Sequence, residues 1–400
     1  MALARAVSDV FIVAAKRTPF GTYGGKLRNF SATDLQEVAT RAALAAGNIK
    51  PEWINSIIVG NVFHTMGDGA YLPRHVGIRV GIPVDVPAYI VNRLCGSSFQ
   101  SIASACDEIH CGLSELVLTG GAENMSLSPH SVRGIRFGLK LGENPVLDDT
   151  LWTGLIDQQI KTPMGMTAEN LAEQYKITRV EADEFGLRSH HLWKKAQESG
   201  YFKEEMAPVT LKTKKGEIQV EMDEHARPDA TIEQMAKLPP VFKKQGTVSA
   251  GNASGICDGA GCVIVANEAA IKKHNLTPLV RVAGYGVSGC DPSVMGIGPV
   301  PSIRALLSKV NMSMDKIGLV EINEAFAPQT LACQKELGVD MEKLNTNGGA
   351  IAVGHPVGAS GSRISAHLTH KMRREGVKYA IGSACIGGGQ GMAILFENIN

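Results

Sequence analysis

The chain has 400 residues, of which 44% are hydrophobic and 20% charged, and a formal net charge of +1. That apolar content suffices for a sizeable core in more than one domain, and no apolar run reaches membrane-spanning length. The near-neutral balance excludes a dispersed electrostatic attraction to nucleic acid or an anionic membrane, so any anion site must be local. The eight cysteines are scattered without a Cys-x-x-Cys pairing and no secretory signal precedes them, which indicates reduced thiols and no metal site.

Asp9 to Ala15 is expected to form a first buried strand, ended by Lys16-Arg17-Thr18-Pro19. Met1 to Ser8 carries one arginine and no acid, as targeting segments do, yet a fold that starts near residue 10 leaves little room for a cleavable one. A capping-box pattern over Thr33 to Gln36 announces an amphipathic helix at about 34–46, and 56–62 reads as a second strand. A helix near 71–80 and an apolar run at 87–91 follow. The run ends in Asn92-Arg93-Leu94-Cys95-Gly96-Ser97-Ser98, after which a helical pattern continues to about Cys111. This spacing puts Cys95 at a helix N-terminus, where unpaired N–H groups and the helix dipole are expected to lower a thiol pKa from about 8.5 toward neutrality. A strand over 115–119 then runs into Gly120-Gly121-Ala122-Glu123, and the alternation of strands and helices indicates a layered α/β domain.

Over 124–249 that rhythm fails. Charge and proline rise, and Lys194, Lys195, Lys212, Lys214, Lys215, Lys243 and Lys244 gather, as in an insertion with its own helices near 168–175 and from a capping box at Thr178 to Glu181. The rhythm resumes with strands at 261–266 and 279–285, a helix near 302–310 and a strand at 318–322. From His355 to Glu375 a glycine-led loop enters a helix, followed by a strand at 378–382 and a glycine-rich turn. This echoes the Cys95 segment as a weak internal repeat, and two such halves packed together bring both loops to one interface.

Four patches can meet there: Cys95; Asn323-Glu324-Ala325-Phe326; Gly354-His355-Pro356; and Cys385-Ile386-Gly387-Gly388-Gly389. A thiol nucleophile needs a base, which a histidine in a tight turn can supply. N–H groups bared by a triple glycine can hold an oxyanion, and Cys385 beside them can act as acid or base. Asn323 either polarises a carbonyl or a water, or caps the next helix. Taken singly, each residue also fits a structural role, as a buried thiol or a turn histidine.

In combination these patches resemble the thiolase family. The agreement extends to Arg17-Thr18-Pro19-Phe20-Gly21, Met166-Thr167-Ala168-Glu169-Asn170 and Met295-Gly296-Ile297-Gly298-Pro299, across essentially the whole chain, and is greatest with the degradative, mitochondrial 3-ketoacyl-CoA branch. The resemblance implies an α/β, five-layered fold of two similar βαβ halves, 1–123 with 250–272 and 273–400, and an inserted loop domain at 124–249 that binds coenzyme A. It also implies a homodimer or a homotetramer built as a dimer of dimers, a mitochondrial matrix location with an uncleaved N-terminal signal, and CoA as co-substrate with no permanently bound cofactor. By position, Cys95 is the nucleophile, His355 its base and Cys385 a second acid–base group. Asn323 holds a water at the enolate oxygen, and the N–H groups of Cys95 and Gly387 form an oxyanion hole. Arg227 and Ser254 fall at CoA contacts, with the insertion's lysines suited to its phosphates, and Met164, Met295, Ala325 and Phe326 line the acyl or pantetheine channel.

Two positions depart from relatives. Ala230 stands where a hydroxyl residue is common, and Pro163 stands where acetoacetyl-CoA thiolases typically carry a histidine before Met-Gly, which favours the broad-chain degradative type. A condensing ketoacyl synthase would need a second histidine in place of Cys385, and a non-catalytic acyl-binding relative would have lost one of the patches. Asn398-Ile399-Asn400 is not the Ser-Lys-Leu peroxisomal address.

Overall fold

A computed structural model describes residues 3–399. Met1, Ala2 and Asn400 lie outside the described residues, so the acid-free start and the C-terminal tripeptide fall partly beyond them. An 11-stranded sheet runs in the order Leu319–Ile322, Tyr379–Ile386, Gln390–Asn398, Val280–Gly289, Val10–Arg17, Cys257–Asn267, Leu116–Asn124, Ser56–Gly60 and Ala88–Val91, with Leu3–Ala6 and Gly21–Thr22 paired at its side. Its middle is narrow. Strands Val280–Gly289 and Val10–Arg17 share only the pairs Val280 with Ile12 and Arg281 with Phe11, so two half-sheets meet at a seam.

Side-chain alternation along the strands sends residues to opposite faces and builds three separate cores. Leu116, Leu118, Cys262 and Ile264 face outward onto the helices Ala32–Ala46 and Leu72–Val80. Val117, Val263 and Val265 face inward onto Ser97–His110 and Ser360–Glu375, whose opposite sides pack on Ala384, Met392, Ile394 and Phe396 of the second half-sheet. The far face of that half-sheet, through Ile381, Ala393 and Leu395, packs on Pro299–Lys309 and Ala327–Leu337. Helix, sheet, helix pair, sheet and helix make five layers. The central helix pair is the one that carries Cys95 and His355 at its leading ends.

Three local expectations shift. The capping box of the first helix is formed by Ser31 and Asp34, not within Thr33 to Gln36, because the helix begins at Ala32. The strand expected to stop at Thr119 continues through both glycines to Asn124. There Gly121 lies against Gly358 and Ser98, so the absent side chain lets the central helices approach instead of marking a turn. Arg17 is inside its strand and fully buried, with Nε on Glu205 at 2.6 Å and Nη1 on Asp223 at 2.6 Å, which ties the inserted segment to the first half-sheet. The insertion's main helices are Met164–Gln174 and Arg179–Glu198, the latter capped by Thr178 and Glu181 as expected. Among the described residues no helix is long and apolar enough to cross a membrane.

Candidate active site

The turn before the Ser97 helix is tight. Leu94 adopts φ 47°, the Gly96 and Ser97 N–H groups return to the carbonyls of Arg93 and Leu94, and the Ser97 hydroxyl donates to Leu94 O while accepting from Arg93 N–H. A non-glycine residue at positive φ is costly, and here the hydrogen bonds on either side hold it. The turn aims Cys95 into a cavity of about 400 Å³. The thiol does not have the lowered pKa that its helix position suggested. Burial pushes it up to about 11, with a further upward contribution from the charge of Glu123, while the Gly387 N–H and its own N–H pull the other way. Desolvation outweighs the helix terminus because the partly exposed thiol looks into an apolar cavity, not into solvent.

His355 is buried in the same cavity wall, its N–H bonded to Gly255 O at 2.9 Å. Burial lowers its pKa to about 4, so the ring is neutral at physiological pH. Its Nδ1 lies 2.6 Å from the Ser360 hydroxyl, which itself donates to Pro356 O at 3.2 Å. With that hydroxyl hydrogen committed, Nδ1 carries the ring hydrogen and Nε2 keeps a lone pair, the tautomer a base needs. The Asn323 amide lies 3.4 Å from the ring. Asn323 does not cap the following helix, whose cap position is Phe326. The neighbouring Glu324 is fully buried and accepts from Ser189 Oγ, Asn345 Nδ2 and the Ile351 N–H, so it fixes this turn to the segment leading to His355.

Cys385 does not itself line the cavity but lies behind the lining residues Met295 and Ala325. It is fully buried in a cluster with Met295 and Ala325, against Met164 and Phe326, and burial followed by the charge of Cys95 drives its pKa well up. The next turn needs its glycines: Gly388 and Gly389 have φ 79° and 83°, and a Cβ on Gly389 would lie 2.3 Å from Cys290 O. That turn presents the Gly387 N–H to Cys95.

Cys95, His355, Gly387, Ser254, Met164, Met295, Ala325 and Phe326 therefore line one cavity, as does Pro163. Sequence reasoning did not single out Phe63, Met125, Trp152 or Leu155, which complete an apolar lobe on the Cys95 side. Ser360 was also missed, although a hydroxyl one helical turn beyond a turn histidine is a legible signal. Arg227 lies apart, in a second cavity of about 580 Å³ with His190, His225 and Ala230, which shares Ala250 with the first. None of the seven lysines lines either cavity. Lys194 and Lys243 are engaged by Asp229 and Glu173, and Lys212, Lys214 and Lys215 ride on the hairpin Val209–Val220.

Known proteins resemble this chain over essentially its whole length. The family models "Thiolase, N-terminal domain" and "Thiolase, C-terminal domain" match residues 10–269 and 276–398. The chain is 61% identical over 398 residues to a protein of Rattus norvegicus named "3-ketoacyl-CoA thiolase, mitochondrial", with 100% of each covered. It is 43% identical over 392 residues to an "Acetyl-CoA acetyltransferase" of Cupriavidus necator, covering 98% of this chain and 100% of that one. A solved structure of human mitochondrial 3-ketoacyl-CoA thiolase in complex with CoA superposes with TM-score 0.95 at 59% identity, over 97% of this chain and 98% of that one.

Proposed function

The chain belongs to the thiolase family, and from that premise we propose that it cleaves 3-ketoacyl-CoA with CoA into acetyl-CoA and a chain-shortened acyl-CoA. The observation that carries this reading is the juxtaposition of a thiol and a neutral histidine in one apolar cavity, with a second thiol buried directly behind the wall residues Met295 and Ala325. His355 Nε2 accepts the proton of Cys95 as the thiolate attacks the 3-keto carbon. The C2–C3 bond then breaks, and its electrons leave as the acetyl-CoA enolate, whose oxygen is held by His355 and by a water on Asn323. Cys385 gives its proton to C2. In the second half, Cys385 takes the proton of an incoming CoA thiol, which attacks the acyl group on Cys95. Cys95 then recovers its own proton from His355. The N–H groups of Cys95 and Gly387 hold the oxyanion during acyl transfer. Every proton is returned, and each step is reversible, so the same groups serve the condensing direction.

We further assign CoA to the path joining the two cavities, with Ser254, Met164, Met295, Ala325 and Phe326 along the pantetheine and Arg227 near the nucleotide end. No permanent cofactor enters this scheme. The chain divides, on this reading, into an N-terminal half at 1–123 and 250–272, a CoA-binding insertion at 124–249 and a C-terminal half at 273–400. A homodimer or dimer of dimers in the mitochondrial matrix, directed by an uncleaved N-terminal signal, completes the proposal, supported by the names of the relatives for the compartment. The apolar lobe at Phe63, Met125, Trp152 and Leu155, together with Pro163, suits alkyl chains beyond C4. Thiolysis assays from C4 to C16 test this: higher kcat/KM on C6 to C12 than on acetoacetyl-CoA is expected, and activity confined to C4 would move the chain to the biosynthetic type.

A further inference from the structure

Glu123 stands at the end of the strand Leu116–Asn124, has no exposed surface and has no cationic partner among the described residues. Its two carboxyl oxygens accept four hydrogen bonds. Oε1 takes Asn61 Nδ2 at 2.9 Å and the Phe63 N–H at 3.0 Å; Oε2 takes the Val62 N–H at 3.1 Å and the Gly358 N–H at 2.9 Å. Val62 and Phe63 are cavity wall, and Gly358 lies in the turn between His355 and Ser360. One carboxylate thus fastens the acyl lobe to the segment that carries the base. The fit is close: a Cβ on Gly358 would lie 2.9 Å from Oε2 and 3.0 Å from Ala122 O. Asn61 cannot turn its amide round to suit a different partner, because its Nδ2 also donates to Ala122 O at 2.8 Å. The titratable group that feels this carboxylate is Cys95, from the turn before the Ser97 helix.

We propose that Glu123 is a positioning residue for the thiolysis reaction, holding His355 and the wall of the acyl lobe in register over Cys95. The proposal rests on the reading of Cys95 as nucleophile and His355 as base. Four donors converge on the group, so glutamine, which can accept at only one of its two terminal atoms, would turn an NH2 toward two of them.

The test compares Glu123→Gln, Glu123→Asp and Cys95→Ser in steady-state thiolysis and in the pH dependence of Cys95 alkylation by iodoacetamide. Glu123→Gln is expected to lower kcat roughly 10- to 100-fold with KM for 3-ketoacyl-CoA within about threefold, the loss that follows from a base displaced by a fraction of an ångström. Burial raises the Glu123 carboxyl to about 8 against the pull of its four donors, so it is charged in the alkaline range where Cys95 ionises, and there the alkylation profile of Glu123→Gln should move to lower pH. Glu123→Asp, which keeps the charge, should keep the wild-type alkylation profile and recover part of the rate. A residue that merely stabilised the fold would lower melting temperature and rate together without moving the profile. Wild-type kcat in Glu123→Gln, or a lowered kcat with an unmoved profile, overturns the proposal. If Glu123→Gln does not fold, Gly358→Ala, which crowds Oε2 but keeps its charge, should show the rate loss with an unmoved profile and an unchanged melting temperature, and either wild-type kcat or a melting temperature that falls with the rate overturns the proposal. Thiolysis surviving in Cys95→Ser would instead sink the nucleophile assignment on which the proposal stands.

Discussion

Removing substrate from the cavity should leave Cys95 protonated, and the degree can be worked out. With the thiol at about 11 and the imidazole at about 4, moving the proton from sulfur to nitrogen as separate charges costs about 9.5 kcal/mol at 1.36 kcal/mol per pH unit. Attraction between the resulting charges at contact returns about 4 kcal/mol at an effective dielectric of 20. The balance of roughly 5.5 kcal/mol leaves about one ion pair in ten thousand sites. Substrate-free protein treated with iodoacetamide, with the Cys95 peptide followed by mass spectrometry, should therefore show an alkylation rate that climbs about tenfold per pH unit from 6 to 9 without levelling. His355→Ala should keep that alkaline rise while losing about two to four orders of magnitude in turnover, since the base acts when substrate is bound. A plateau with a midpoint near pH 7 would refute the reasoning and restore the preformed thiolate that the helix terminus alone suggests.

Cys385→Ala should impair both half-reactions by about two to four orders of magnitude while leaving Cys95 slowly acylatable, because the two thiols act at different steps; near-normal thiolysis would remove Cys385 from the proton path. Gly154→Ala should narrow the acyl lobe, since its Cβ would lie 2.4 Å from the Phe63 ring, and kcat/KM on C10 should fall about tenfold more than on C4 in a chain-length series. Arg227→Ala should raise KM for CoA roughly tenfold with kcat little changed, as expected for a charge-assisted contact distant from the reacting atoms, and a lowered kcat alone would count against its place near the nucleotide.

The layering was legible because the strands alternate with helices and are apolar on both faces; Val117 and Leu118 point to different cores, as a strand buried on both sides requires. The Gly120-Gly121 pair was misleading, since glycine marks turns in sequence, and only the packed central helices reveal that it permits close approach instead. The site residues were legible as chemical types in turns. Their proton affinities were not, because the Cys95 environment is set by Val62, Phe63 and Leu155, all of which lie far from it along the chain. Glu123 was visible as a residue of the Gly120 segment, but nothing in one sequence tells that Val62, Phe63 and Gly358 converge on it. Where the lysines lie was not legible either: Lys212, Lys214 and Lys215 share an exposed hairpin and none of the three lines a cavity.

The central claim is that an acyl group passes through Cys95 in two separable half-reactions. Mixing the protein with a slight excess of 3-ketodecanoyl-CoA in the absence of free CoA, quenching within seconds and analysing both peptides and small molecules tests it most directly. The account predicts one acetyl-CoA released per active site, an octanoyl group on the Cys95 peptide, and its conversion to octanoyl-CoA when CoA is added. An octanoyl group on Cys385, or no acetyl-CoA until CoA is present, would contradict it.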